Sequence, residues 1–152
     1  MLKQRLLTAF VLIPLVLWGI FSLSATAFAN VLTVLVLLGA WEWSRLMGLT
    51  SDAGRVAYLL LVLLVLRFFA KVNVSWLYAV LILAWVQAFY WVLTYPGNSK
   101  QWASKPWLMG LMGLWVLVPT WGALTLLKTI ADGPWWILFL MAIVWGADTG
   151  AY

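Results

Sequence analysis

Long runs of apolar residues constrain this chain more than any other feature of its sequence. Only 9% of its 152 residues are charged, whereas soluble domains carry about 25%. Six runs approach or reach the length of about 17–20 residues that a helix needs to cross a bilayer core. They span residues 6–23, 27–43, 56–70, 75–94, 107–127 and 134–152. The sequence therefore predicts an all-α integral membrane protein, a polytopic bundle of about six transmembrane helices in one region covering residues 1–152.

The first run has a competing interpretation as a cleavable signal peptide. Lys3 and Arg5 precede it, and the small residues Ala25-Thr26-Ala27 after it are typical of a processing site. Its length of 18 residues exceeds the usual apolar core of a signal peptide, so we expect an uncleaved helix.

The residue types that are missing narrow the chemistry. The chain has no histidine and no cysteine, which excludes imidazole-bound zinc, thiolate chemistry and a Ser-His triad. Any metal would meet oxygen ligands, and these favour magnesium, calcium or manganese. The net charge of +5 comes from few residues. We interpret these charges as residues that set the membrane topology and contact anionic lipid, and not as a nucleic-acid-binding surface.

The Lys and Arg residues of the loops predict the orientation. With the N-terminus in the cytoplasm, six of them lie on the cytoplasmic side and three on the opposite side. The last run then enters from outside at Pro134, and Asp148, 14 residues on, lies about 21 Å along it. Because the hydrocarbon core is about 30 Å thick, Asp148 is predicted on the cytoplasmic side of the midplane.

Asp148 is the candidate functional residue. A central carboxylate in a membrane helix costs about 2.5–3.5 kcal/mol on insertion scales, so something must offset its charge. Tyr152 shares its helix face, Thr149 adds a hydroxyl, and Gly150 leaves backbone accessible. This group suits a hydrated cation or a phosphate. The alternative is a lone acid paired with a Lys, Arg or Trp N–H of a neighbouring helix.

Glu42 and Arg45 form a second candidate pair near the end of the second run. Residues three apart share a helix face and can pair. One interpretation is a structural ion pair at the membrane interface, between the anchors Trp41 and Trp43. The other is a pair that faces a polar cavity.

Small residues predict close helix packing in two runs. Ala142, Gly146 and Gly150 follow one another at intervals of four, which forms a ridge that another helix can approach. Gly110 and Gly113 likewise thin one side of the fifth run.

Three stretches carry a family resemblance. The start, from Met1 to Pro14, has the charged and apolar pattern MLKQRL…AFVLIP. The second run ends in Ala40-Trp41-Glu42-Trp43, and the last in Val144-Trp145-Gly146-Ala147-Asp148-Thr149-Gly150-Ala151-Tyr152. In these stretches the chain resembles the phosphatidate cytidylyltransferase family, also called CDP-diacylglycerol synthases. The likeness runs the length of the chain, and its last motif is the most specific.

The resemblance implies a nucleotidyltransferase of phospholipid biosynthesis in the inner membrane. Such an enzyme joins CTP to phosphatidic acid, gives CDP-diacylglycerol and pyrophosphate, depends on Mg²⁺, and opens its site to the cytoplasm. Asp148 would be its catalytic and metal-binding acid here, with Thr149, Gly150 and Tyr152 at the substrate. A homodimer is among the expected partners, beside the lipid bilayer.

One departure from the family pattern limits this expectation. Members continue after the Ala-Tyr pair with a Gly-rich basic segment and further acids, and the carboxylates credited with holding the metals lie there. We therefore expect residues 1–152 to be the N-terminal membrane portion of such an enzyme, truncated before its catalytic half and inactive alone. The alternative is a non-enzymatic membrane protein, such as a transporter piece or an assembly subunit, in which Asp148 serves an ion path or packing.

Overall fold

The computed structural model describes residues 2–71, 74–95, 97 and 105–151, with side chains from residue 10 onwards except at residues 74, 75 and 77. These residues form six α-helices and no β-strand. In chain order the helices are α1 (Leu2–Ser22), α2 (Ala25–Leu46), α3 (Asp52–Phe69), α4 (Val74–Leu93), α5 (Pro106–Thr129) and α6 (Gly133–Gly150). The predicted all-α class is confirmed for this part of the chain.

The turn between α2 and α3 follows directly from its residues. Gly48 has a φ of 76°, in the left-handed region that glycine adopts without steric cost just past the end of a helix. Ser51 then caps α3, since its Oγ accepts the backbone N–H of Gly54 at 3.2 Å. Asp52 adds a negative charge to the first turn, where the helix dipole favours it. A short polar stretch therefore separates these two helices.

The start of α6 also depends on a glycine. Asp132 adopts a left-handed conformation with a φ of 58°, which aspartate tolerates better than most residues. A Cβ on Gly133 would overlap the carbonyl oxygen of Leu127. Pro134 follows in the first turn, where its missing N–H costs no helical hydrogen bond. These residues end the turn after α5 and begin α6 within a short stretch of chain.

The described helices have the character of membrane segments. Among them, α2 and α5 are long and apolar enough to cross a bilayer, each with a mean hydropathy of 1.6. Large apolar side chains lie exposed along α4, including Ile82, Trp85 and Phe89. A soluble monomer rarely exposes apolar surface on this scale, whereas lipid accepts it. The length and the apolar surface of these helices indicate a membrane protein.

Residues 1–31 and 124–152 form one compact unit, which contains α1 and α6. Ile20 of α1 and Ile137 of α6 are both buried. The rings of Phe21 and Trp135 meet edge to face with their centroids 4.9 Å apart, a geometry that aromatic pairs prefer. Apolar and aromatic packing therefore joins the first and last helices of this unit.

Lys128 joins three helix ends in the same unit. It lies in the last turn of α5, and its Nζ donates a hydrogen bond to the carbonyl oxygen of Ile20 near the end of α1. The same ammonium group lies 5.5 Å from the ring centroid of Phe28 in α2. A cation is favoured both at a helix C-terminus and over an aromatic face.

Replacing Lys128 with Met should therefore lower the melting temperature of the detergent-solubilised protein. Loss of the hydrogen bond and of the cation–ring contact should cost about 1–2 kcal/mol, or about 2–8 °C for a chain of this size. Lys71→Met is the matched control, because Lys71 is exposed and should tolerate the change. Equal melting temperatures for the two variants would contradict the structural role of Lys128.

Residues 32–123 form the second compact unit, which contains α3, α4 and most of α2 and α5. Its core is a cluster of buried side chains from α2, α3 and α5 together with the turn after α2. The members are Val36, Ala40, Met47, Tyr58, Val62, Leu66 and Val118. Burial of Val62 and Ala40 is complete, with no accessible surface on either. These helices therefore pack closely enough to exclude lipid and water from their contact.

Two glycines of α5 make this close packing geometrically feasible. A Cβ on Gly110 would lie 2.7 Å from Cε of Met47, and one on Gly113 would lie 2.5 Å from Nε1 of Trp43. Real Cβ atoms do not approach other atoms so closely. The prediction that Gly110 and Gly113 thin one side of this helix therefore agrees with the structure, and the thin side faces α2 and α3.

Side-chain hydrogen bonds connect α5 to the helices that pack against it. Trp43 Nε1 donates to the carbonyl oxygen of Met109 at 2.8 Å, and the Tyr58 hydroxyl donates to that of Gly110 at 3.0 Å. A third bond joins Trp121 Nε1 to Thr33 Oγ1 at 3.0 Å. In a low-dielectric surrounding such donors need partners, so these bonds fix the register of α5 against α2 and α3.

Candidate functional site

Three of the predicted site residues occupy the last turn of α6. Asp148 and Gly150 are exposed, and a Cβ on Gly150 would meet no atom within 4 Å. The hydroxyl of Thr149 donates to the carbonyl oxygen of Trp145 at 2.7 Å, so its oxygen can still accept a hydrogen bond from a ligand. Tyr152 lies outside the described residues. The structure therefore places a carboxylate, a hydroxyl oxygen and bare backbone beside one another.

The predicted packing ridge on α6 is open in this unit. A Cβ on Gly146, one turn before Gly150, would also meet no atom within 4 Å. No described helix of this unit therefore packs closely on these two glycines. Space for a further helix or a ligand remains on this side of α6.

The carboxylate of Asp148 makes no ion pair with any described residue. The two ion pairs of the described chain are Arg45–Glu42 and Arg55–Asp52, and both belong to the other compact unit. In this part of the chain, therefore, no Lys or Arg forms the ion pair that would neutralise Asp148. Its charge needs a partner from elsewhere if the residue lies at membrane depth.

The described residues do not by themselves fit a divalent metal ion. They contain no group of three or more His, Cys, Asp or Glu side chains. Magnesium is held by carboxylates together with waters and substrate phosphates, and Asp148 supplies a single carboxylate. The described residues can therefore contribute one ligand but not a complete site.

Glu42 and Arg45 pair near the end of α2, as their spacing predicts. The distance from Arg45 Nη1 to Glu42 Oε2 is 3.4 Å, and both side chains are more than half exposed. An exposed pair of this kind contributes little to stability. This geometry suits the interpretation of an ion pair at an interface.

Arg55 has a structural role that its place in the sequence does not predict. Its Nε donates to the carbonyl oxygen of Leu49 at 3.0 Å, and its guanidinium lies 5.5 Å from the ring centroid of Trp41. These contacts tie the start of α3 to the preceding turn and to α2. The sequence showed only a charge at the end of the polar stretch before the run of residues 56–70, and a charge there does not predict a contact with an aromatic ring of another helix.

Comparison with known proteins identifies the family. The model of the cytidylyltransferase family matches residues 3–152. The chain therefore belongs to the cytidylyltransferase family, and the predicted resemblance is confirmed. No solved structure matches the chain significantly.

Two curated relatives carry the name phosphatidate cytidylyltransferase. The chain is 44% identical over 158 residues to the protein of Pseudomonas aeruginosa, and the match covers 100% of this chain and 56% of the relative. It is 34% identical over 184 residues to the protein of Haemophilus influenzae, with 100% of this chain and 59% of the relative covered. The chain thus spans little more than half the length of these relatives.

Proposed function

We propose that this chain is the N-terminal membrane portion of a CTP:phosphatidate cytidylyltransferase. The observation that carries the proposal is the family match over residues 3–152, together with two relatives whose printed names state this activity. The open, carboxylate-bearing end of α6 supports it. The reaction joins CTP and phosphatidic acid and yields CDP-diacylglycerol and pyrophosphate for phospholipid biosynthesis.

The bond changes define what the site must do. A phosphate oxygen of phosphatidic acid attacks the α-phosphorus of CTP, a new phosphoanhydride bond forms, and the bond to the β-phosphate breaks so that pyrophosphate leaves. Both reactants are anionic. The protein must therefore hold two negative groups close together and in line, which requires positive charge around them.

Asp148 belongs at the edge of that site. We assign it one ligand position of a Mg²⁺ ion, whose other ligands would come from outside the described residues and from substrate phosphates. When bound, the ion supplies positive charge at the phosphates. The Thr149 oxygen, the bare backbone at Gly150 and the Tyr152 side chain would bind substrate. The exposure of Asp148 and the absence of an ion pair to it among the described residues support this assignment.

All six helices would cross the bilayer of the inner membrane, with the N-terminus in the cytoplasm. The excess of Lys and Arg on the predicted cytoplasmic side supports this orientation. It puts Asp148 within reach of cytoplasmic CTP. A second copy of the chain, and lipid around the exposed apolar side chains, complete the expected surroundings.

The direct test is synthesis of the product from defined substrates. The protein, expressed as its natural gene encodes it and purified in nanodiscs, should convert labelled CTP and phosphatidic acid into labelled CDP-diacylglycerol when Mg²⁺ is present. One pyrophosphate should appear for each product. Absence of this product from protein that is folded and monodisperse would contradict the proposed function and favour the non-enzymatic alternative.

Residues 1–152 expressed alone should be inactive in the same assay. A single carboxylate does not hold divalent metal against two anionic substrates, and Asp148 is the one acid described in the last turn of α6. Circular dichroism should show a helical protein whose product formation does not exceed the background. CTP-dependent formation of CDP-diacylglycerol by these residues alone would contradict this expectation.

A further inference from the structure

A cavity of about 560 Å³ lies among α3, α4 and α5, wholly within the unit of residues 32–123. Gln87 and Leu111 line it and are exposed, whereas Met112 and Val118 line it and are buried. The cavity therefore reaches from the outside of the unit to its core. Its volume lies in the range of about 300–1,000 Å³ that is typical of small-molecule sites.

The cavity is elongated along the helix axes. On α4 its lining runs from Val80 to Trp91, and on α5 from Leu108 to Pro119. Eleven residues of helix correspond to about 16 Å. One leaflet contributes half of the hydrocarbon core of about 30 Å, or about 15 Å. The cavity is therefore as long as the depth that the acyl chains of one leaflet fill.

The lining is almost entirely apolar, and its polar groups include one amide and one buried indole N–H. Gln87 is an amide inside the otherwise apolar helix α4, and it lines the cavity. In hydrocarbon an amide without a hydrogen-bond partner is costly. The indole Nε1 of Trp115, another lining residue, is buried with no hydrogen-bond acceptor among the described residues. Both groups can donate a hydrogen bond, so a suitable ligand would be apolar and would carry an acceptor oxygen.

We propose that this cavity binds one acyl chain of a diacyl glycerolipid, with the ester carbonyl of that chain accepting a hydrogen bond from the Gln87 side chain. An acyl chain matches the apolar lining, and its ester carbonyl is an acceptor that cannot donate. From Gln87 the lining of α4 continues to Val80, about 10 Å away, and this stretch would hold the first part of the chain. The cavity contacts the chain and its ester, so it binds glycerolipids whatever their headgroup. This inference is independent of the nucleotidyl transfer proposed above.

Photocrosslinking tests the site directly. The protein, as its natural gene encodes it, is reconstituted with phosphatidic acid or phosphatidylethanolamine that carries a diazirine on one acyl chain, and crosslinked residues are mapped by mass spectrometry. Both lipids should label residues that line the cavity on α4 and α5. Labelling confined to other surfaces, or labelling of the cavity by phosphatidic acid alone, would overturn the proposal.

Two matched substitutions test whether the cavity space is required. Leu111 lines the cavity and Val116 does not, and both are 52% exposed on the same helix. Leu111→Trp should reduce cavity labelling at least about fivefold, because overpacking a binding space is costly. Val116→Trp should keep cavity labelling within about twofold of the parent protein. An equal loss in both variants, or no loss in either, would contradict the proposal.

Ether-linked lipid tests the hydrogen bond. Ester-linked diazirine lipid should label the cavity about threefold to tenfold more than its ether analogue, which lacks the carbonyl. Gln87→Met keeps the side-chain length but removes the donor, so the ester preference should disappear. A preference that survives in Gln87→Met would overturn the role of Gln87.

Discussion

Replacing Asp148 with Asn should reduce CTP-dependent formation of CDP-diacylglycerol by at least about 100-fold in the protein as its natural gene encodes it. The amide keeps the size of the side chain but loses the negative charge that would attract a metal ion. Because Asp148 is exposed and makes no ion pair among the described residues, the melting temperature should change little. The measurement is initial rate against Mg²⁺ concentration, and the variant should need more Mg²⁺ for half-maximal rate.

Asp132→Asn provides the matched control for this prediction. Asp132 immediately precedes the first residue of α6, the helix whose last turn holds Asp148. It is exposed and has a left-handed conformation that asparagine also adopts. Its variant should keep the rate and the Mg²⁺ dependence of the parent. If Asp148→Asn behaved in the same way, the acid would be structural and its proposed role at the substrate phosphates would be wrong.

Gly113→Ala should have the largest effect on stability. The new methyl group would overlap the Tyr58 hydroxyl and would lie 2.5 Å from Trp43 Nε1. Those two groups donate to the carbonyl oxygens of Gly110 and Met109, so the helices must separate and both bonds weaken. The combined cost should be about 2–4 kcal/mol, which corresponds to a fall of about 4–16 °C in melting temperature.

Gly19→Ala is the control for that substitution. A Cβ on Gly19 would make only an ordinary contact at 3.9 Å with Leu23, and alanine is the better helix former. Its melting temperature should equal or exceed that of the parent. Removing the Tyr58 hydroxyl in Tyr58→Phe/Gly113→Ala should recover part of the loss. A Gly113→Ala variant as stable as Gly19→Ala would show that α5 does not pack against α3 in this register.

Local features of the fold could be predicted from the sequence because they depend on neighbouring residues. The apolar runs predict helices, and the polar stretch around Gly48 and Ser51 marks a helix end and a helix start. Gly110 and Gly113 predict a thin side on the fifth run. These signals operate within a few residues, so no knowledge of distant contacts is needed.

Contacts between helices could not be predicted in the same way. A helix that is apolar on every face, such as α4 or α5, has no stripe that tells which side meets a neighbour. The hydrogen bonds from Trp43 and Tyr58 to α5 join residues that are 66 and 52 positions apart in the sequence. The sequence indicated Gln87 as polar in an apolar run, but not the cavity that it lines.

The candidate site could be predicted only in part for a related reason. Asp148 stands out as an acid in an apolar run, and the motif around it led to the correct family. The sequence predicted that Thr149 adds a hydroxyl, but not that this hydroxyl donates to the carbonyl oxygen of Trp145 in its own helix. The described residues hold no group of three or more side chains that could bind a metal ion, so spacing within them does not predict a complete metal site.

Side-specific labelling of position 148 tests the central claim most directly. Residues 1–152 contain no cysteine, so Asp148→Cys in a background without other cysteines gives one reactive thiol. A membrane-impermeant maleimide should label it in inside-out vesicles and not in right-side-out vesicles, and CTP should slow the reaction. Labelling only from the exterior, or none from either side while the denatured protein reacts, would contradict a carboxylate that serves nucleotide chemistry at the cytoplasmic face.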